Sequence, residues 1–171
     1  TALFFHQVHL VEVKGWELSL YTALFPFFIG TLIVTTFASG SVIDARGSSV
    51  MMRLWPLPWA MGFAVLSFAP SLTWALVGLM FCGVGAGIQS NAPTSFFSEY
   101  YGTLHLGAIK AASTAIMVLG SAIGPGVTGF LITAGIGIET QYAWIAVYFL
   151  VAGAFLWLGL KRSEPSLLLT A

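Results

Sequence analysis

Long uncharged apolar runs dominate the chain, at residues 19–39, 54–70, 73–93, 111–133 and 142–160. A helix needs about 20 mostly apolar residues to cross the hydrocarbon core of a bilayer. A single Asp or Lys at a helix centre costs about 3 kcal/mol of insertion free energy. None of the five runs contains one, and the charges lie between them. Each run therefore predicts a membrane-spanning helix.

Composition supports the same class. The chain is 58% hydrophobic and 7% charged, with zero formal net charge, whereas soluble domains carry about 25% charged residues. Six basic and six acidic side chains cannot cover the surface of a soluble domain, and nothing in the charge indicates nucleic acid as a partner. Barrel strands would alternate apolar and polar residues, which these runs do not. The predicted fold is an all-α integral membrane protein in the lipid bilayer.

The opening stretch, residues 1–12, is apolar but too short to cross. It predicts the end of a truncated helix, and a re-entrant segment is the alternative. The chain starts at Thr1 without a secretory signal pattern, so we expect a cut from a longer protein.

Basic residues divide unequally between the two predicted sides of the membrane. The linkers 40–53 and 94–110 and the tail 161–171 share one side, where the basic residues are Arg46, Arg53, Lys110, Lys161 and Arg162. The other side carries only Lys14. Excess Lys and Arg marks the cytoplasmic side, which predicts a multi-pass cell-membrane protein with a cytoplasmic C-terminus. Aromatic residues near the span ends are predicted interfacial anchors: Trp16, Trp55, Trp59, Trp74, Tyr142 and Trp144.

Small residues indicate how the helices pack, because close contact in a bilayer requires small side chains. Gly78, Gly83 and Gly87 form a small face on the third run. Gly120 and Gly124 form a GxxxG pair on the fourth, and the next residue, Pro125, predicts a bend.

The segment from Gly40 to Gly47, with Asp44 and Arg46 inside it, resembles the short loop motif of the major facilitator superfamily. Gly40, Asp44 and Gly47 match in register, whereas Ala45 stands where the motif has a base.

The run Gly120-Ser-Ala-Ile-Gly-Pro-Gly-Val-Thr-Gly129 resembles the Gly-x-x-x-Gly-Pro pattern of symmetry-related helices in this superfamily. Residues 98–110 are similar to the linker before its eleventh helix, closest to bacterial members of the monocarboxylate and oxalate–formate type. The resemblance implies the C-terminal six-helix half, from the end of helix seven through helix twelve, of a twelve-helix secondary transporter in a bacterial inner membrane. The missing N-terminal half would then be a partner, with substrate held between the halves.

Gly40, Asp44, Arg46 and Gly47 are candidates for a conformational latch, in which a carboxylate near a helix N-terminus stabilises one closed state. The alternative is a polar loop with a positive-inside anchor. Packing or bending is the predicted role of Gly120, Gly124, Pro125 and Gly129.

His6, Gln7 and His9 are candidates for substrate or proton binding, since His6 and His9 share a helical face and imidazole carries a proton near neutral pH. The alternative is that both histidines only face water.

Gln89, Ser90 and Asn91 lie in an otherwise apolar run. Such groups bind substrate or form interhelical hydrogen bonds, and the sequence leaves both roles open. Asn91 precedes Ala92-Pro93, which also suggests that a helix ends there. Lys110, beside Ser113 and Thr114, is a fixed cation for an anionic substrate or an interfacial anchor, and we favour the anchor.

No nucleophile shares an apolar run with a His or acidic partner, and no phosphate-binding loop is present. We expect no enzyme activity, no cofactor and no metal site. The predicted function is transport of a small solute by alternating access, and the resemblance implies organic anions. The alternatives are drug or metabolite efflux, or a half-bundle subunit without transport of its own.

Overall fold

The computed structural model describes the backbone of residues 1–167 and the side chains of residues 1–161. This part of the chain is helical and contains no strand. The helices, in chain order, are α1 (Ala2–Phe5), α2 (Gln7–Lys14), α3 (Leu18–Thr22), α4 (Phe25–Arg46), α5 (Ser48–Leu54), α6 (Pro56–Phe68), α7 (Leu72–Tyr101), α8 (Leu106–Thr133) and α9 (Ile138–Leu167).

Four helical segments are long and apolar enough to cross a membrane: Leu18–Arg46, Leu72–Tyr101, Leu106–Thr133 and Ile138–Lys161. The run predicted at 54–70 corresponds to α6, whose 13 residues extend about 20 Å, less than the thickness of a hydrocarbon core. Trp55 joins α5 to α6 with helical backbone angles, φ −59° and ψ −30°. The two short helices therefore follow one another with little change of direction.

The main helices pack as a row in which α4 lies against α7, α7 against α6, and α6 against α9. The short α5 lies at one end of this row and contacts α4, α7 and α9. In contrast, α8 lies at the edge and touches α1, α7 and α9 only lightly. Thr128 is the one buried residue of α8.

Glycines of α7 permit close helix contacts, but on two sides of the helix and not on the single small face that the sequence predicted. A Cβ atom built on Gly83 would lie 2.7 Å from the carbonyl oxygen of Phe28 in α4, and one on Gly87 would lie 2.7 Å from that of Leu32. On the α6 side, a Cβ on Gly78 would lie 3.1 Å from the carbonyl oxygen of Gly62. These backbones approach so closely that no larger residue fits.

The linkers meet at two opposite ends of the bundle. At one end, called the Lys14 end, Lys14 Nζ donates to the carbonyl oxygen of Ser67 (2.9 Å) and pairs with Glu139, while Ser67 Oγ donates to the Glu139 carbonyl (2.7 Å). At the other, called the Arg46 end, the turn after α4 contacts Glu99 near the end of α7. The linkers that the sequence assigned to a common side thus lie together.

Several helices extend beyond the predicted boundaries. The helix α7 runs through Pro93 to Tyr101, so the expected helix end near Asn91 is wrong. Because Pro93 has no backbone N–H, the helix loses only the one hydrogen bond that would reach the Gln89 carbonyl. Likewise α4 continues to Arg46 and α9 to Leu167, so the predicted linker at 40–53 and the tail from 161 are partly helical. The rest of the tail, 168–171, lies outside the described residues, as do the side chains of residues 162–167.

Two of the predicted interfacial aromatic residues belong to the interior. Tyr142 is fully buried, and Trp59 stacks on Phe63 and Phe149 with ring centroids 6.0 and 5.8 Å apart. Their positions near the ends of apolar runs suggested anchors, but α6 and α9 pack face to face there, which buries Tyr142 fully and Trp59 in part.

We predict that Gly87→Ala lowers the free energy of unfolding by about 1–3 kcal/mol relative to Gly120→Ala, because overpacking strains a close contact. Both substitutions gain similar helix propensity, and a Cβ on Gly120 meets nothing within 4 Å. Loss of helical circular dichroism in a denaturant series, in the same detergent, measures the difference. Equal stability of the two variants would contradict the packing of α7 on α4.

Candidate functional site: a cleft beside α8

A cleft of about 680 Å³ separates α8 from the row of helices. Its lining comes from α1, α6, α7, α8 and α9 and includes Thr1, Trp59, Gln89, Gly120, Ser121, Gly124 and Phe149. The cleft exists because α8 packs lightly, and its glycines add no side chain to fill the space. Its volume lies within the range of small-molecule sites, about 300–1,000 Å³.

One wall of the cleft is aromatic. Trp59 lies parallel to Phe149 (interplanar angle 12°), and Trp55 meets Phe149 edge to face with centroids 5.9 Å apart. Gly85 of α7 makes room for this wall, since a Cβ there would lie 2.8 Å from Trp59 Nε1. Rings stacked in this way present a rigid flat surface to whatever occupies the cleft.

Hydrogen-bond donors without partners lie around the same cleft. The indole Nε1 atoms of Trp55 and Trp59 are buried and have no hydrogen-bond partner. Gln89 lines the cleft, and its side chain makes no hydrogen bond to the described part of the chain. Both indole nitrogens lie beneath the surface of the wall, with Trp59 Nε1 against Gly85 of α7, so Gln89 is the unpaired polar side chain that can reach a ligand or water in the cleft.

A second cavity of about 360 Å³ continues from the cleft toward the Arg46 end. The two share Trp55, Gln89 and Met117. The second is lined also by Thr94 on α7 and by Lys110, Ser113 and Thr114 on α8. We call the two together the α8 groove. Lys110 is the one charged residue that lines it.

The structure places the residues predicted from the sequence in different surroundings. Ser90 and Asn91 bind α4, not the groove: Asn91 Nδ2 donates to the Thr36 carbonyl (2.8 Å) and to Ser39 Oγ (3.2 Å), and Ser90 Oγ lies 3.2 Å from Thr36 Oγ1. Of the two roles predicted for Ser90 and Asn91, substrate binding and interhelical hydrogen bonding, the structure shows the second. Gln89 points away from this contact and reaches the groove.

The predicted pair of histidines does not lie on one continuous helix. His6 interrupts the first helical stretch between α1 and α2, with φ −103° and ψ 18°. Its Nδ1 lies 3.3 Å from the Ala2 carbonyl, and its Nε2 lies 3.5 Å from where a Cβ of Gly129 would be. His6 thus contacts α8, while Gln7 Oε1 is buried without a partner. His9 is half-buried on α2, and neither histidine lines the α8 groove.

The latch candidates lie at the end of α4. Asp44 and Arg46 are exposed in its last turn, so Asp44 does not lie near a helix N-terminus as the sequence suggested. Gly47 follows with φ 81°, a backbone conformation that favours glycine. Gly40 lies beside α7, where a Cβ would be 3.8 Å from Asn91 Nδ2.

Glu99 supplies the carboxylate at this turn. Its Oε2 accepts hydrogen bonds from the Ser48 backbone N–H (2.9 Å) and from Ser48 Oγ (2.6 Å) at the start of α5. Charge-assisted bonds of this kind are stronger than neutral ones. The sequence predicted Glu99 only as part of an interfacial linker, because no local pattern relates it to Ser48, 51 residues away.

Among the packing candidates on α8, Gly129 lies beside His6, whereas Gly120 and Gly124 have no neighbour in the described chain. A Cβ on Gly120 or Gly124 would meet nothing within 4 Å, and both glycines line the cleft. Ser121, between them, binds Thr1 through their hydroxyl oxygens at 2.9 Å. Pro125 is accommodated within a continuous α8.

Glu139, in the first turn of α9, pairs with Lys14. The pairing leaves this end with an excess of exposed carboxylates, Glu12 and Glu17. The Arg46 end carries Arg46, Arg53, Lys110 and Lys161 against Asp44 and Glu99.

No family model, curated protein or solved structure matches this chain.

We predict that Glu99→Gln increases amide hydrogen exchange in residues 47–54, because the start of α5 loses a charged acceptor worth about 1 kcal/mol. Exchange followed by mass spectrometry measures this segment directly. The matched control is Glu12→Gln at the opposite end, where the side chain is exposed. Equal exchange of the segment in both variants would show that Glu99 does not hold this turn.

Proposed function

We propose that the chain is half of a secondary transporter of the major facilitator type, which moves a small solute across a cell membrane by alternating access. The observation that carries the proposal is the α8 groove: a ligand-sized space, lined by the unpaired side chain of Gln89, inside a bundle of potential membrane-spanning helices. Polar groups inside membrane bundles are costly and are found where solutes or ions pass.

The unequal charge of the two ends supports a defined orientation. The Arg46 end has four basic residues among those with described side chains, whereas the one lysine of the Lys14 end is paired with Glu139. By the positive-inside rule, the Arg46 end faces the cytoplasm in this proposal, and the C-terminal segment with it. A bacterial inner membrane follows from the family resemblance.

The exposed side of α8 supports a complementary set of helices. Ile116 and Phe130 are 72% and 71% exposed, and the Gly120–Gly124 pair offers the small surface that helices pack against in membranes. The missing N-terminal half fits this position. A separate partner chain fits it equally, which keeps the half-bundle subunit as the second candidate function.

The proposed substrate is a small organic anion. Lys110 is the charged residue of the groove, and no carboxylate lines it. A cationic drug, the alternative within the same superfamily, would find no countercharge in this lining.

We predict that the native membrane product containing this sequence has a mass of about 40 kDa, twice the length of one repeat, and takes up small carboxylates in liposomes. Purification through a tag after Ala171, followed by mass spectrometry, gives the mass. Uptake of labelled carboxylates under an imposed proton gradient tests transport, with a lipophilic dye cation as the drug-like comparison.

The 171-residue chain alone in liposomes is the control, and we expect no flux, because alternating access requires two halves that move against each other. Gradient-driven flux through this chain alone would contradict the half-transporter. A native product of 18.2 kDa without flux would identify the half-bundle subunit instead.

A further inference from the structure

We propose that an aminophospholipid, a lipid whose head group carries a primary ammonium and a phosphate, binds along α6 and α9 with its head group at the Lys14–Glu139 pair. This site lies on the side of the helix row opposite the α8 groove. The proposal therefore goes beyond the proposed function and requires only that the chain lies in a bilayer.

The spacing of residues along α6 separates this face from the groove. Trp59 and Phe63 line the α8 groove. At 3.6 residues per turn, Met61, Ala64 and Phe68 lie on the other side of the same helix. Met61 and Phe68 are 49% and 78% exposed, so the described chain does not cover this face. In a membrane, its neighbours are lipids.

Two apolar grooves meet at Phe68 on this face. One, of about 350 Å³, follows the contact of α6 with α9, where four small side chains leave a depression: Ala60, Ala64, Ala143 and Ala146. The other, of about 420 Å³, lies between α6 and the start of α7 and extends to Trp74. Ala64 and Phe68 line both grooves. Two apolar grooves that diverge from one point fit the two acyl chains of one phospholipid.

The length of the α6–α9 groove matches the depth of one leaflet. Its lining on α6 extends from Phe68 to Ala60, eight residues that span about 12 Å. Half of a hydrocarbon core of about 30 Å is about 15 Å. The groove thus runs from the Lys14 end to near the middle of the core, as an acyl chain of that leaflet does.

A polar cavity continues from this groove at the Lys14 end. It has a volume of about 440 Å³ and shares Phe68 and Ala143 with the apolar groove. The rest of its lining is polar: Lys14, Ser67, Glu139 and Thr140. Polar and apolar parts therefore follow one another in the order of a lipid head group and its acyl chains.

The exposure of the ion pair selects the charge of the head group. The side chain of Glu139 is 45% exposed and that of Lys14 only 10%, so a ligand in the cavity meets the carboxylate first. A carboxylate accepts hydrogen bonds from a primary ammonium group and repels a head group of net negative charge. The quaternary ammonium of phosphatidylcholine has no N–H to donate.

The same cavity offers donors to a phosphate oxygen. Two donors of the Lys14 ammonium are engaged, by Glu139 and by the Ser67 carbonyl, and an ammonium has three. The hydroxyl of Thr140, an exposed residue, lies in the same lining. A head group with both an ammonium and a phosphate, such as phosphatidylethanolamine, therefore satisfies both members of the ion pair.

Native mass spectrometry tests the site through the lipids that the chain retains. The 171-residue chain is reconstituted in nanodiscs of phosphatidylethanolamine, phosphatidylcholine and phosphatidylglycerol in equal amounts, with identical acyl chains, and then released into detergent. We expect one retained lipid, enriched in phosphatidylethanolamine. Glu139→Gln should lower the ratio of retained phosphatidylethanolamine to phosphatidylglycerol about fivefold, the upper range for a solvent-accessible ion pair. Loss of structure alone would reduce all three lipids alike.

Two pairs of variants separate the head-group contact from the grooves. Glu12→Gln removes an exposed carboxylate from the same end but outside the polar cavity, so it should retain lipids as the unmodified chain does. Ala64→Phe fills the point that both grooves share and should abolish lipid retention. Ala154→Phe adds the same ring at an exposed position of α9 outside the grooves and should leave retention unchanged.

Three results would overturn the proposal. These are equal retention of the three lipids by the unmodified chain, the same lipid ratio in Glu139→Gln and Glu12→Gln, and lipid retention that survives Ala64→Phe. A dimer in the nanodiscs that Ala64→Phe dissociates would also overturn it, because a second copy of the chain would then cover this face. Solute uptake by the native product does not enter these measurements, so failure of the proposed function would leave their outcome unchanged.

Discussion

The close approach of α7 to its neighbours sets the position of most other elements. Without a hydrophobic driving force between helices in lipid, packing depends on backbones that come near enough for extensive van der Waals contact. Gly83 and Gly87 allow this against α4, and Gly78 meets Gly62 of α6. Because α6 in turn packs on α9, one helix with small residues on two of its sides aligns the whole row.

That arrangement also determines where the groove lies. The small faces of α7 are occupied by α4 and α6, so α8 has no comparable surface to pack against and lies apart from the row. Its glycines then border open space. Glycines thus allow close packing of α7 on α4 and α6, whereas the glycines of α8 border the cleft. The aromatic residues of α6 and α9 form the wall of that cleft.

The two ends of the bundle are fixed by polar contacts of different kinds. At one end, Lys14 of α2 forms an ion pair with Glu139 of α9 and donates a hydrogen bond to the Ser67 carbonyl of α6. Glu99 joins α7 to the start of α5 at the other. Both contacts connect residues far apart in sequence, so they hold the relative positions of helices that no short linker constrains.

The sequence predicted the helical class, a packing role for the glycines of α7 and the grouping of linkers, because long apolar runs and small residues are local signals; it did not separate Gly78, which meets α6, from Gly83 and Gly87, which meet α4. It missed the helix ends at Arg46 and Tyr101, since a proline or glycine indicates a break without showing whether the neighbouring turns continue. Glu99 and the pairing of Glu139 with Lys14 depend on tertiary contacts, which local patterns do not contain. For the groove, the sequence marked Gln89 and Lys110 but not Trp55 or Trp59, because tryptophan near a run end is also typical of an interfacial anchor.

We propose that the Lys14 end and the Arg46 end lie on opposite sides of a membrane, with the Arg46 end in the cytoplasm. Cys82 is buried and is the one cysteine of the chain, so its replacement by alanine gives a background for single cysteines at exposed positions. A membrane-impermeant maleimide applied to intact cells should label Glu17→Cys and Ala134→Cys. It should reach Ala45→Cys and Thr103→Cys only after permeabilisation. Labelling of Glu17→Cys together with Thr103→Cys in intact cells would contradict the spanning bundle.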